Sequence, residues 1–140
     1  MSKSHVVMLT IINNSSENFD RFGSWFDSGR FADGWNLPDR VASGSTCVLA
    51  MYERDWALAG CSGYINFEKG GFDVTVAFSN PANGENKLGV GSGIGGSTWE
   101  DMSGHDYAPF TVSFKSGRSA LVANCRCTGG IVNEALVVFR

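Results

Sequence analysis

The sequence predicts an all-β protein, an antiparallel β-sandwich of about eight to ten short strands in one domain of 140 residues. Three observations carry this. Phe72, Val74, Val76 and Phe78 alternate with Asp73, Thr75 and Ala77, so a period of two places four bulky apolar side chains on one face of a strand. Eighteen glycines and only three prolines space the chain into short segments joined by tight turns. No stretch carries the long 3.6-residue apolar period of an amphipathic helix.

The elements follow in order. Residues 6–12, Val-Val-Met-Leu-Thr-Ile-Ile, form a first strand; seven apolar-rich residues are too few to span a bilayer and too few for the core of a secretory signal. Synthesis in the cytosol without a signal peptide is therefore expected, with any release by a non-standard route. Phe19, Phe22 and Phe26 would suit a helix face, but Gly23, Ser24 and Asp27-Ser-Gly29 disfavour a helix interior. A strand to Phe26, a turn at Asp27-Ser-Gly29 and an extended return through Trp35 are expected instead. Loops at 37–39 and 42–45 flank a short extended piece, Arg40 and Val41. Residues 46–52 are a strand ending in the charged bend Glu53-Arg-Asp55.

Glycines at 60 and 63 open a strand to Phe67. Lys69-Gly70-Gly71 turns it into the strand of residues 72–79, which ends in the turn signals Asn80-Pro81 and Asn83-Gly84. A short strand at 87–90 and a loop at 92–104 follow. Phe110, Val112 and Phe114 alternate into a strand, Lys115-Ser-Gly117 turns it into residues 120–124, and Gly129-Gly130 precedes the last strand, 131–139.

The net charge of −3 offers no basic footprint for nucleic acid and no strong attraction to anionic lipid. The cysteines, Cys47, Cys61, Cys125 and Cys127, lack metal-binding spacing and are expected as free structural thiols; no cofactor or metal is indicated. Gly91-Ser-Gly-Ile-Gly-Gly96 has the letters of a dinucleotide fingerprint but no parallel βαβ context, and reads as a glycine loop. The two histidines are His5, at an expected frayed terminus, and His105, in a polar loop. With no Gly-x-Ser-x-Gly elbow beside them, the residues point away from a hydrolase and from an enzyme generally.

The remaining chemistry lies in the aromatics. Trp and Tyr combine an apolar body with a polar tip, which suits a membrane–water boundary and also the face of a sugar ring. Trp25 and Trp35 read as packing residues. Trp56, after the charged bend, Trp99, after the glycine loop, and Tyr107 read as an exposed binding edge, with Ser79 and Asn80 as polar groups that would orient a ligand.

The order of Ile11-Ile-Asn-Asn14, Ser28-Gly29, Trp35, Leu37-Pro38, Ser43-Gly44, Gly60, Gly63, Phe67, Phe78-Ser-Asn-Pro81, Gly84 and Asn86 resembles the aegerolysin and actinoporin-like small β-sandwich cytolysins and related fungal lectins, over about two-thirds of the chain. The resemblance implies a compact sandwich that binds membrane lipid head groups, often of sphingolipids, and sometimes perforates membranes. Ala82, Asn83, Gly84 and Glu85 stand where actinoporins carry their aromatic phosphocholine cluster. No amphipathic N-terminal helix precedes the first strand. Binding of a membrane lipid is therefore expected ahead of pore formation by this chain alone, and a partner protein for pore formation stays open. A carbohydrate-binding lectin is the alternative. A self-associating protein, with exposed edge strands pairing into a homo-oligomer, is a third reading.

Overall fold

The computed structural model describes residues 2–93 and 95–140. Ile94, inside the glycine-rich segment 91–96, lies outside the described residues. Two sheets face each other as a β-sandwich. The larger contains β3 (Arg30–Phe31), β5 (Thr46–Tyr52), β1 (Val6–Asn13), β11 (Val132–Phe139), β10 (Ser119–Arg126) and β9 (Phe110–Ser116), in that spatial order. The smaller contains β4 (Arg40–Val41), β2 (Phe19–Ser28), β6 (Cys61–Lys69), β7 (Phe72–Asn80) and β8 (Lys87–Ser92). Among the named pairs only β1 with β11 is parallel. The first and last strands meet without a hairpin between them, so no short connection forces them antiparallel.

The eleven strands among the described residues exceed the expected eight to ten because the two-residue pieces β3 and β4 pair in the sheets. The aromatic segment is a strand and not a helix. β2 runs on to Ser28, and the chain turns at Gly29, where φ is +85°. Register shifts between Arg21 and Gly23 and between Phe26 and Ser28 absorb the irregular aromatic spacing.

The core lies between the sheets. Phe72, Val74, Val76 and Phe78 are all buried, as the alternation requires. The ring of Phe19 meets Phe139 edge-on at 4.5 Å and Phe67 at 6.1 Å, which joins the two layers. Buried asparagines tie the sheets together through polar bonds. The Asn133 amide donates to the Ser79 carbonyl at 3.0 Å and the Lys87 carbonyl at 3.2 Å, and its oxygen accepts from the Thr128 amide. A side-chain amide can serve a carbonyl and an N–H at once, which suits it to close gaps between strand ends that no ladder satisfies.

The segment expected as a loop at 92–104 contains a helix, α1 (Gly96–Asp101), followed by a single 3-10 turn at His105–Tyr107. α1 lies on the outer face of the smaller sheet. A Cβ on Gly91 would collide with the Thr98 side chain, and one on Gly89 would stand 2.8 Å from the Met102 Cβ. These two glycines let α1 approach the backbone of β8. The cover also explains why Thr75, Ala77 and Ser79, on the outward side of β7, are buried.

Cys47, Cys61, Cys125 and Cys127 are free thiols. Burial pushes those of Cys61 and Cys125 up to about 12 and that of Cys127 up to about 11, with Glu53 and Glu85 adding to the rise at Cys61 and Cys127. The thiolate is the reactive form. Iodoacetamide at neutral pH is therefore expected to leave these three unmodified in the folded protein and to label all four after denaturation. Mass spectrometry counts the adducts, and rapid labelling of Cys61 or Cys125 in the folded state would contradict the burial.

Candidate functional site

One end of the sandwich gathers the β5–β6 loop, the β7–β8 loop, the segment before β11 and the N-terminal residues. The β5–β6 loop is built from the bottom of β5 outward. The buried Glu53 carboxylate accepts the Ser4 backbone N–H at 3.1 and 3.2 Å. The Lys3 ammonium donates to the Glu53 carbonyl at 2.8 Å and to Asp55 Oδ1 at 2.5 Å, and sits 4.5 Å from the centre of the Tyr52 ring. Residues 3 and 4 are thus strapped across the base of the loop, and the N-terminal segment at His5 is half-buried instead of frayed.

Above this base the Ala57 amide donates to the Arg54 carbonyl, closing a turn with Trp56 at φ +63°. A left-handed conformation is costly for a bulky side chain, on the order of 1 kcal/mol. Trp56 is 89 % exposed and Leu58 98 % exposed. The loop re-enters the sheet at Gly60, where a Cβ would collide with the Asn80 carbonyl. Two large apolar side chains are therefore held out in water on a loop whose base is pinned.

The strap has a pH signature. The Lys3 ammonium, by hydrogen bond and by charge, holds the Asp55 carboxyl below its ordinary range. A carboxyl lowered in the folded state contributes above its ordinary range and loses that contribution as pH falls through the lowered value. Amide exchange at residues 55–58 is expected to depend on pH only through ordinary exchange chemistry from about pH 8 to pH 5, with loosening only below about pH 4. Exchange mass spectrometry of that peptide, with Lys3→Met as reference, measures it; loosening near neutral pH would contradict the strap.

Beside the loop a cleft of about 550 Å³ opens between β6, β7 and α1. Ser62 and Ser79 lie at its buried floor, and Asp27, Lys87, Trp99 and Glu100 are among its walls. Trp99 is fixed from both sides: its Nε1–H donates to Ser62 Oγ at 2.8 Å, and its ring meets Trp25 edge-on at 5.2 Å. Trp25 in turn lies 5.3 Å from Tyr64 on the outer face of the smaller sheet, not in the core. The cleft therefore offers hydroxyls, an ammonium, carboxylates and an aromatic side chain within one hollow.

The structure separates the five site residues singled out in the sequence. Trp56 stands on the exposed loop, and Ser79 and Trp99 line the cleft. Asn80 is committed to the scaffold: its Nδ2 donates to the carbonyls of Val6, Gly130 and Ile131 at 3.0, 3.2 and 2.8 Å. Tyr107 is half-buried against the core, its ring lying over Gly129. Leu58, Lys87 and Asp27 were not singled out in the sequence. His105 stacks on Phe110 with ring centres 3.8 Å apart.

Comparison with known proteins finds no matching family model and no matching curated protein. Solved structures do match. The lipid binding protein Nakanori superposes with a TM-score of 0.77 at 15 % identity, over 99 % of this chain and 72 % of that one. The RahU protein, solved with a TRIS molecule, gives 0.62 at 18 % identity, over 99 % of this chain and 96 % of that one. A lectin of Xerocomus chrysenteron gives 0.59 at 15 % identity, over 97 % of both chains. The chain thus has the β-sandwich fold found in a lipid-binding protein and in a lectin.

Proposed function

We propose that the protein is a non-enzymatic module that docks on lipid membranes with its β5–β6 loop and receives a head group of the sphingolipid type in the adjoining cleft. The exposure of Trp56 and Leu58 on one pinned loop carries this reading. A soluble surface gains nothing from two large apolar side chains held almost wholly in water, whereas a bilayer interface takes them up. Full burial is worth about 1.5–3 kcal/mol for each such side chain, so the pair supplies on the order of 3–6 kcal/mol, roughly two to four orders of magnitude in partition. The cleft beside the loop then meets the head-group layer. Lys87 matches a phosphate, Asp27 and Glu100 match an ammonium, and Ser79 and Trp99 add a hydroxyl and an aromatic surface. The Nakanori fold, that of a protein described as lipid binding, agrees with this use.

A second reading is favoured by the cleft alone. Hydroxyls and carboxylates around an aromatic side chain also suit a sugar, and the Xerocomus chrysenteron lectin shares the fold. Co-sedimentation with sphingolipid-containing vesicles, beside a glycan array, separates the two. Vesicle binding that simple sugars do not block supports the membrane reading. Sugar-blocked agglutination with no vesicle binding replaces it. Dye release from the same vesicles reads whether docking perturbs the bilayer.

A further inference from the structure

The outer face of the larger sheet carries an apolar row that no helix covers among the described residues, whereas α1 lies on the outer face of the smaller sheet. β1 is apolar at both parities: Val7, Leu9 and Ile11 enter the core, while Met8 and Ile12 point outward. The neighbouring strands continue the outward row. Met8 lies opposite Ala50, Thr10 lies between Val48 and Leu136, and Ile12 lies opposite Val138. Val48 is 41 % exposed and Leu136 38 %. Strands that are apolar at both parities are ordinarily covered on both faces. On the smaller sheet the outward positions include Trp25 and Tyr64 beside Glu68, Asp73 and Thr75, and α1 packs over β7 and β8.

Two opposite charges stand in this apolar row. Arg126 is paired with Leu136 across β10 and β11, and Glu134 lies opposite Met8. Both are exposed, and neither is in an ion pair among the described residues. They sit on adjacent strands of one face. A two-fold axis lying between two such faces, midway between the two side chains and perpendicular to the line joining them, sets each Arg126 against the partner's Glu134. One interface thereby gains two equivalent charge pairs within an apolar surround. A bilayer would leave Glu134 facing lipid with no cation supplied.

We propose that the outer face of the larger sheet is the interface of a homodimer, two copies packing sheet on sheet. Five full strands about 4.8 Å apart and about 23 Å long give a face on the order of 500 Å² in plan. Side-chain relief raises that toward the roughly 800 Å² per partner of a standard interface. The face is distinct from the Trp56 loop, so vesicle docking and self-association are independent measurements.

Sedimentation equilibrium of the full chain, from micromolar to hundreds of micromolar, tests the proposal. A mass rising to twice that of the chain is expected. Arg126→Glu and Glu134→Arg should each weaken dimerisation at least about tenfold, and the double reversal should recover it to within about threefold of the original. Val48→Lys, on another strand of the row, should also weaken it. Thermal unfolding of each variant confirms that it folds. A chain-sized mass at every concentration overturns the proposal, as does a dimer indifferent to these substitutions or a double reversal no better than the single ones.

Discussion

Trp56→Ala is expected to lower partition onto sphingolipid vesicles by about tenfold to a hundredfold while leaving thermal unfolding unchanged. The size follows from removing one large apolar side chain from a bilayer interface, about 1.5–3 kcal/mol. The absence of a stability effect follows from its exposure: a side chain 89 % in water gives up almost no packing when truncated. Leu58→Ser acts on the same contact and should multiply the loss. Flotation assays across a lipid titration read both variants, and denaturant unfolding shows that the fold persists. Equal partition of the Trp56→Ala variant would remove the loop from the membrane contact.

Asn80→Ala is expected to do the reverse, costing about 2–4 kcal/mol of folding stability with little effect on vesicle binding wherever the variant remains folded. Its amide nitrogen serves three carbonyls, those of Val6, Gly130 and Ile131, and so joins the end of β7 to the starts of β1 and β11. Truncation leaves those acceptors in a site where the native side chain is only 4 % exposed. Asn80→Asp should be worse, because a carboxylate only accepts and would face three carbonyl oxygens. The midpoint of urea unfolding measures both. An Asn80→Ala variant of native stability that had lost vesicle binding would instead make Asn80 part of the ligand site.

How far the fold could be read in advance depended on which forces act locally. β7 was legible because its inward alternation is a period of two in the sequence itself. α1 was not. Gly-Ser-Thr-Trp-Glu-Asp is too short for a helical period and begins with poor helix formers. It is held by tertiary contact instead: Trp99 bonds Ser62, and Gly89 and Gly91 admit it to the sheet. The paired glycines on alternate positions of β8 were the one available sign of that close approach. The exposure of Trp56 on its loop was legible from the charged bend before it. Leu58 was not, since Ala57-Leu58-Ala59 reads equally well as the lead into a strand, and its exposure is decided by the strap from Lys3 and Ser4, about fifty residues away in sequence. Asn80 shows the opposite limit. A turn asparagine looks the same in sequence whether it faces a ligand or three carbonyls.

The Lys3–Asp55 strap bears on the proposed membrane reading in the same terms. If the loop docks on a membrane as proposed, the strap holds it in place beforehand, so docking need not order those residues, and the loss of conformational entropy on binding falls accordingly. The left-handed turn at Trp56 is held by the closed turn beneath it, in which the Ala57 amide donates to the Arg54 carbonyl.

Amide exchange of the vesicle-bound protein, compared peptide by peptide with the free protein, probes the membrane contact most directly. The predicted result is slowed exchange concentrated in residues 53–60, with the segments lining the cleft following when the vesicles carry sphingolipid. Unchanged exchange across 53–60 on vesicles that demonstrably hold the protein, with protection elsewhere on the sandwich, would contradict it.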